Sequence, residues 1–202
     1  YGTGSVDLSV IWNKNSYNKV PTLSLSVINE KGESVTIPES AINLSGEANG
    51  NVQIKHSLPS GSYIFIFKLK DGEQILIGYT EVVRVSNGVT TGGTIDFTKG
   101  GDVNNKVGIL DNTTKPIEAT LTLTKTANNQ VKCDLNFTYL PEGISESDVT
   151  ITWYNEDFEC DAGNNKKSYT FLSLPGTSRI TAVFKSTKTG SMGAVSDYYT
   201  NE

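Results

Sequence analysis

The chain has 202 residues, with 17 lysines and arginines against 22 aspartates and glutamates, and a formal net charge of −5. This length favours two domains of roughly 100 residues each. The basic residues are scattered, with Lys166 and Lys167 as the one adjacent pair, which argues against nucleic acid as a partner and against attraction to an anionic membrane surface. No apolar run approaches the roughly 18 residues of a membrane span, so we expect no membrane insertion by this segment.

Short alternating runs of branched and hydroxylated residues, punctuated by glycine and asparagine, predict an all-β protein of the secreted or surface type. The two cysteines, Cys133 and Cys160, are most simply one disulfide formed in an oxidising compartment. Such a bond would stabilise the fold by about 3 to 4 kcal/mol if it acts through the entropy of the unfolded chain. A pair of buried thiols is the alternative.

The first half contains short strands separated by turn signals. SVDLSVIW places Val6, Leu8, Val10 and Trp12 on one face. PTLSLSV also alternates, NEKG forms a turn, and the runs SVTI, AINLSG and NVQIKHSL follow, with EANGN as a hairpin candidate. YIFIFKLK pairs with EQILIGYTEVVRV across Asp71 and Gly72, and GTIDF closes the module near Phe97. These elements predict a β-sandwich over residues 1–99.

The alternation of apolar and polar residues stops at TKGGDVNN, residues 98–105, where we place the domain boundary. The second module, residues 106–202, begins with ATLTLTK and QVKCDLNFTYL, and the latter puts Val131, Cys133, Leu135 and Phe137 on one face. PEGISESD is a loop, VTITWYNE places Trp153 inward, and YTFLSL, RITAVFKS and AVSDYYT follow. About seven short strands in each half, spaced by 8 to 12 residues, predict sandwiches or barrels.

One stretch occurs in nearly the same form in both halves. SLPSGSYIFIFK begins at Ser57 and SLPGTSRITAVFK begins at Ser173. Each predicts a Leu-Pro turn with a following glycine, after which a strand begins at once. We expect Leu58 and Leu174 to pack under the end of each sandwich. The repetition favours two modules of related topology.

Several segments carry a family resemblance. VTITWYN, SYTFLSLPG and RITAVF, between Val149 and Phe184, resemble the immunoglobulin-like modules of bacterial surface lipoproteins and adhesins. LPSGSY, GYTEVVRV and NGVTTGGTI, between Leu58 and Ile95, are similar to prealbumin-like or immunoglobulin-like modules placed near the N-terminus of such proteins. The strand order of the first module stays open between these two. The resemblance implies an extracellular or outer-surface protein, lipid-anchored through an N-terminal segment that has been removed.

The resemblance departs from an antibody-type domain at its disulfide. Such a domain bridges its second strand to its sixth, with a tryptophan of the third strand packed on the bridge. Cys133 and Trp153 fit the second and third strands, but the sixth-strand segment TAVF lacks a cysteine. Cys160 is therefore the one partner that the sequence offers Cys133.

Catalytic signatures are missing from the sequence. His56 is the single histidine, and GxSxG, HExxH and Walker lysine motifs do not occur. The acidic side chains Glu156, Asp157, Glu159 and Asp161 crowd one loop, which is typical of a solvated edge or of a weak calcium site. We predict no enzyme activity, no catalytic residue, no resident metal and no cofactor.

Exposed aromatic rings are the remaining candidates for ligand binding, because such rings stack on sugars and other apolar faces. The ligand-binding candidates are Tyr154, Phe158, Tyr198 and Tyr199, and alternation with Trp153 places Tyr154 outward and exposed. Tyr17 is a further aromatic candidate in the first half.

The sequence therefore predicts a non-catalytic extracellular module that acts as a spacer or as an adhesion and interaction domain of a bacterial surface protein. Its partner would be a host or cell-surface protein or a glycan. A carbohydrate-binding module that presents exposed aromatics is the alternative, and an accessory fragment of a glycoside hydrolase is a third hypothesis.

Overall fold

The structure is a computed structural model that describes residues 2–13, 15, 19–98, 115–126, 129–188 and 191–201. The described chain forms fifteen β-strands in four sheets, with helical structure confined to short 3-10 turns. It consists of two tandem β-sandwiches, which confirms the predicted all-β fold class. The described helices are all too short to cross a membrane.

The chain divides into two compact units, Tyr1–Pro116 with Thr189–Ser191 and Ile117–Lys188 with Met192–Glu202. The predicted boundary at residues 98–105 falls almost entirely outside the described residues, since only Thr98 is described there. The exact boundary therefore stays a prediction. Tyr17 also lies outside the described residues.

The first unit contains eight strands. They are β1 (Thr3–Ile11), β2 (Thr22–Asn29), β3 (Ser34–Val35), β4 (Ile42–Asn43), β5 (Asn51–Pro59), β6 (Gly61–Asp71), β7 (Gln74–Val85) and β8 (Thr90–Asp96). Most bounds follow the alternating runs of the sequence, but the predicted runs SVTI and AINLSG form only the two-residue strands β3 and β4, because a 3-10 turn over Leu44–Asn49 takes up the rest of AINLSG. The hairpin candidate EANGN joins two paired strands, β4 and β5, but through a 3-10 turn over Leu44–Asn49 rather than a tight turn.

The eight strands form two sheets, in the orders β4-β5-β1-β8 and β3-β2-β6-β7. β1 pairs antiparallel with β5 and parallel with β8. In an antibody constant domain the first and second strands lie in the same sheet, whereas here β2 pairs with β6 in the opposite sheet. The strand order of the first module is therefore not that of an antibody domain.

The inner faces of these two sheets enclose the first core. The predicted inward residues of β1, Val6, Leu8 and Val10, are almost completely buried, and so is Trp12 just after the strand. Phe65 and Phe67 of β6 pack against them from the other sheet, with their ring centroids 6.0 Å apart. Alternation of apolar and polar residues thus predicts this core correctly.

The second unit contains seven strands. They are β9 (Glu118–Thr126), β10 (Gln130–Tyr139), β11 (Val149–Asn155), β12 (Phe158–Glu159), β13 (Ser168–Leu172), β14 (Gly176–Ser186) and β15 (Met192–Asn201). They form sheets in the orders β13-β10-β9 and β12-β11-β14-β15. In immunoglobulin nomenclature these are the E-B-A and C′-C-F-G sheets.

Trp153 lies at the centre of the second core, as predicted, with its side chain completely buried. Its indole N–H donates to the carbonyl oxygen of Lys166 at 2.8 Å, which satisfies the one polar group of the ring. Gly163 brings the backbone directly against this ring, because a Cβ there would lie 2.9 Å from Trp153 and 2.8 Å from Tyr169. A larger residue at position 163 would force the core apart.

The duplicated stretch occupies an equivalent place in both modules. In the first it connects β5 to β6 and in the second β13 to β14, so each copy carries the chain from one sheet to the other. Leu58 is buried under the sandwich end as predicted, but the prediction for Leu174 is wrong, because that side chain is 67% exposed. Ser173 takes the inner position instead, and its carbonyl oxygen accepts a hydrogen bond from Asn201.

The predicted disulfide is not formed in the structure, where Cys133 and Cys160 are both thiols. Cys133 is buried in the second core, and Cys160 packs partly buried against the same core. The two sulfurs are near enough for a charge on Cys160 to contribute to the raised pKa of Cys133. The pairing of these cysteines stays a prediction.

Candidate functional site

The outer face of the β12-β11-β14-β15 sheet carries two of the predicted ligand-binding residues. Trp153 of β11 points into the core, so its neighbour Tyr154 points outward, opposite Thr181 of β14. One step along the same face, Arg179 of β14 lies opposite Tyr198 of β15. We call Tyr154, Arg179 and Tyr198 the tyrosine–arginine face.

Arg179 is buried within this face, with 4% of its surface exposed. Its Nη2 lies 3.4 Å from Oδ1 of Asp157, and its backbone N–H donates to Oε1 of Glu156 at 2.6 Å. The backbone N–H of Glu156 in turn donates to the carbonyl oxygen of Arg179 at 2.8 Å. Arg179 thus holds the two-residue turn between β11 and β12, in which Glu156 adopts a left-handed φ of 52°.

The acidic loop does not converge on one centre. Glu156 and Asp157 are engaged by Arg179, and Glu159 accepts a hydrogen bond from the side-chain amide of Asn164 at 3.1 Å. Within the described ranges, no three or more His, Cys, Asp and Glu side chains are grouped so as to hold a metal ion. The protein's own donors therefore occupy these carboxylates.

The four predicted aromatic residues do not form one platform. Tyr154 points outward as expected but is half-buried, so the prediction that it is exposed is wrong. Phe158 is the most exposed of the four at 79%, and Tyr198 is 41% exposed. Tyr199 turns inward and packs against the second core. Phe158 shares the side of Asn155 rather than that of Tyr154, which separates it from Tyr198.

The large exposed apolar side chains of the second module lie towards one end of the sandwich. The pairing of Gly176 with Asn201 and of Asn155 with Ile180 brings the end of β11, the start of β14 and the end of β15 together. The side-chain amide of Asn201, at the end of β15, ties the loop after β13 to this end by donating to the carbonyl oxygen of Ser173 at 3.0 Å. The large hydrophobic side chains exposed in the described part of this module are Phe158, Leu172, Leu174 and Tyr198.

We call these four residues the apolar end. Leu172 and Leu174 were missed as candidates, although the sequence carries a signal for Leu172. If Phe171 points inward, alternation turns Leu172 to the outside of the strand. Leu174 carries no comparable signal, because it lies in the loop beyond the strand.

His56 lies near the end of β5, as the sequence predicts, and lines a surface cavity of about 580 Å³ in the first module. The acid of this cavity is Asp7, whose carboxylate lies 3.2 Å from Nζ of Lys55 and accepts a hydrogen bond from Gln53 at 2.9 Å. A carboxylate engaged in this way is typical of a surface ion pair.

Comparison with known proteins gives distant likenesses. No protein-family model and no curated protein matches the sequence. Among solved structures, a DUF3823 family protein from Bacteroides ovatus is 8% identical over 96% of this chain and 97% of its own, with a TM-score of 0.34. A leucine-rich repeat protein from Bacteroides thetaiotaomicron is 13% identical over 100% of this chain and 25% of its own, with a TM-score of 0.30.

The fibronectin(III)-like modules of Clostridium thermocellum CbhA are 11% identical over 90% of this chain and 78% of their own, with a TM-score of 0.26. At such low identities and TM-scores, these likenesses carry no argument about function. An assignment of function therefore has to rest on the residues of this chain.

Proposed function

We propose that the chain is a non-catalytic extracellular segment of a bacterial surface protein, in which two sandwich modules act as a spacer and the apolar end acts as an interaction surface. The single observation that carries this proposal is that the large hydrophobic side chains exposed in the described part of the second module all lie towards one end of it; they are Phe158, Leu172, Leu174 and Tyr198. Exposed apolar side chains concentrated in one region of a surface are typical of protein interaction sites.

The rest of the molecule supports this assignment. Three carboxylates of the acidic loop, those of Glu156, Asp157 and Glu159, are engaged by Arg179 and Asn164. The carboxylate of Asp7 is engaged by Lys55 and Gln53. These groups serve the fold rather than a reaction centre. The same proposal includes the domain limits 1–99 and 106–202. It also includes a prealbumin-like strand order for the first module and a lipid anchor outside this segment.

The test is a binding screen of the purified chain against arrays of extracellular-matrix proteins, cell-surface proteins and glycans. We expect saturable binding to a protein that weakens by about tenfold or more in Phe158→Ser and Leu174→Ser, since central apolar contacts dominate interface energies. Val20→Ser is the matched control, because Val20 is also exposed, at 56%, but belongs to the first module.

Two outcomes would contradict the interaction surface. Binding that survives both substitutions would place the contact elsewhere, and silence across the arrays would leave only the spacer. Saturable binding to a glycan that Tyr198→Ala abolishes would favour the carbohydrate-binding alternative instead.

A further inference from the structure

β13 is an edge strand of the second module, because β10 is its one partner among the described strands. Its odd-numbered residues bond to β10. The N–H of Ser173, just after the strand, donates to Asn129 at 2.7 Å, and the carbonyl oxygen of Lys167, just before the strand, accepts from Leu135 at 2.8 Å. Successive residues of a strand direct their main-chain groups to opposite sides. The residues that direct their N–H and C=O groups away from β10 are therefore Ser168, Thr170 and Leu172.

This edge is open in the described part of the chain. Ser168, Thr170 and Leu172 are all exposed, and their main-chain groups have no partner among the described residues. Hydrogen bonds from Lys132 and Ser168 lower the pKa of Asp134, but they engage the side chain of Ser168 and not its main chain. The 3-10 turn that follows β12 contacts the inward ring of Tyr169, on the core side of the strand.

The other edges of this module offer less to a further strand. β12 is only two residues long, and short edge strands leave few groups to pair with. β9 and β15 lie together on the other side of the sandwich, where the N–H of Ile117 donates to the carbonyl oxygen of Met192 at 3.0 Å. β13 has five residues, SYTFL, and contains neither a charged residue nor a proline, which are the usual protection of an edge.

An antiparallel copy of β13 matches this edge. When a two-fold axis passes through Thr170, that residue lies opposite itself, and Leu172 lies opposite Ser168 of the second copy. All these residues point their main-chain groups outward, so each facing pair exchanges both N–H···O=C bonds. Leu172 is 64% exposed in the single chain. In the pair it lies beside a small serine side chain and diagonally to Thr170 of the second copy, which removes part of it from water.

The distribution of charge agrees with an antiparallel pair. Lys166 and Lys167 come just before β13, so pairing about Thr170 carries them towards the far end of the strand in the second copy and away from each other. The far end of β13 lies at the apolar end of the module, where the turn after β11 carries an excess of acidic side chains, namely Glu156, Asp157 and Glu159. Unlike charges therefore approach each other on both sides of the axis.

We propose that two copies of this chain associate through β13, so that their β13-β10-β9 sheets continue into each other across a two-fold axis at Thr170. A strand of five residues forms few bonds. The association is therefore reversible and increases with protein concentration. This proposal goes beyond the proposed function, because the pairing covers Leu172 but leaves Phe158 free for another protein.

The test is the oligomeric state of the reduced, intact chain, measured by sedimentation velocity over a wide range of concentrations. We expect a monomer–dimer equilibrium. Thr170→Lys places two lysines opposite each other on the axis, and we expect it to weaken dimerisation by about tenfold or more. Thr122→Lys is the matched control, because Thr122 is an exposed threonine on the same outer face, in β9, and we expect it to dimerise like wild type.

A charge-exchange experiment separates direct pairing from a folding defect. Thr170→Glu alone should also weaken self-association, whereas an equal mixture of Thr170→Lys and Thr170→Glu should form a heterodimer more tightly than either variant pairs with itself. Thr170→Pro removes an N–H that β10 does not use, and we expect it to weaken the dimer as well, since edge strands tolerate proline.

Hydrogen exchange locates the contact. In wild type the amides of Ser168, Thr170 and Leu172 should exchange more slowly at high protein concentration than at low concentration. Phe158→Ser should leave dimerisation unchanged, so a failure of the proposed interaction surface and a failure of this pairing give different results.

Three results would overturn the proposal. The first is a chain that stays monomeric at every concentration, and the second is a dimer that Thr170→Lys and Thr170→Glu leave unchanged. The third is a mixture of these two variants that associates no more tightly than each does alone. Protection of the β13 amides by another protein, in a chain that remains monomeric, would assign the edge to a foreign strand instead.

Discussion

Three hydrogen-bond donors converge on the carboxylate of Asp148. It accepts hydrogen bonds from the hydroxyl of Ser145 at 2.6 Å, from Nζ of Lys188 at 2.9 Å and from the backbone N–H of Ser145 at 2.9 Å. These bonds favour the charged form and hold the pKa of Asp148 well below its usual range. The carboxylate thereby joins the turn before β11 to the end of β14.

This arrangement predicts a specific acid sensitivity. A carboxylate whose folded pKa is depressed stabilises the fold above its unfolded pKa of about 3.9, and that stabilisation is lost as the pH falls towards the folded value. We expect Asp148→Asn to lower stability at pH 7 and to flatten the loss of stability below about pH 5, where the pH falls through the unfolded pKa towards the folded one. Urea unfolding at several pH values measures this.

Glu142→Gln is the control for the acid effect, since Glu142 is an exposed carboxylate of the same module. An Asp148→Asn variant with the pH profile of wild type would contradict the role assigned to Asp148.

The two cysteines are predicted to differ in reactivity. Burial raises the pKa of Cys133 to about 12, with smaller contributions from Asp134 and Cys160, and burial also raises the pKa of the less buried Cys160. Since the thiolate is the reactive form, we expect a maleimide to label Cys160 first in the folded, reduced protein and Cys133 only on unfolding. Peptide mapping after timed labelling measures the order.

The predicted disulfide needs a second labelling experiment. Protein recovered from an oxidising compartment, unfolded without reductant, should expose no free thiol if Cys133 and Cys160 are bonded. Labelling of both residues under those conditions would contradict the predicted disulfide.

At the scale of elements, Arg179 is expected to stabilise the turn between β11 and β12. Arg179→Met keeps much of the buried stem but removes the guanidinium beside the half-exposed Asp157. We expect a loss of about 1 to 2 kcal/mol in the free energy of unfolding of the second module. Urea unfolding followed by Trp153 fluorescence in a Trp12→Phe background measures it.

Lys132→Met provides the contrast. Lys132 and Asp134 are both nearly half-exposed, and such a pair contributes less than about 0.5 kcal/mol in most cases. If both substitutions lowered the free energy of unfolding equally, the burial of Arg179 would make no additional contribution to stability.

Strands and cores are predictable from the sequence because alternation decides them locally. Val6, Leu8 and Trp153 take their predicted inward places, since each lies on a regular run with one apolar face. Leu58 and Leu174 show the limit of prediction from local sequence, because they occupy equivalent positions in nearly identical segments but only Leu58 is buried. Leu58 still belongs to β5, whereas Leu174 follows the end of β13, where Ser173 and Asn201 take the inner position.

The candidate site was less predictable than the fold. In the sequence, Arg179 looks like any outward polar residue of an alternating strand. Its contacts with Glu156 and Asp157 arise only because β14 pairs with β11. The exposure of Tyr154 likewise depends on neighbours from β14. Which residues become neighbours across strands depends on long-range register, and the periodicity of a single strand does not reveal it.

At the scale of the whole molecule, the two tryptophans report on separate cores. Trp12 belongs to the first and Trp153 to the second. We expect Arg179→Met to shift the unfolding midpoint seen by Trp153 and to leave that seen by Trp12 unchanged. Single-tryptophan variants, Trp153→Phe and Trp12→Phe, measure the two transitions in the intact chain. Equal shifts of both midpoints would instead show that the chain unfolds as one cooperative unit.

The parallel pairing of β1 with β8 has a mechanical consequence. The chain enters the first module at the start of β1 and leaves it after the end of β8, so tension applied through the chain pulls these neighbours in opposite directions along their length. The hydrogen bonds from Ser5–Thr90 to Ile11–Asp96 are then loaded in shear, all at once, rather than unzipped one by one. A module built this way resists extension most strongly along the line that joins its two chain ends.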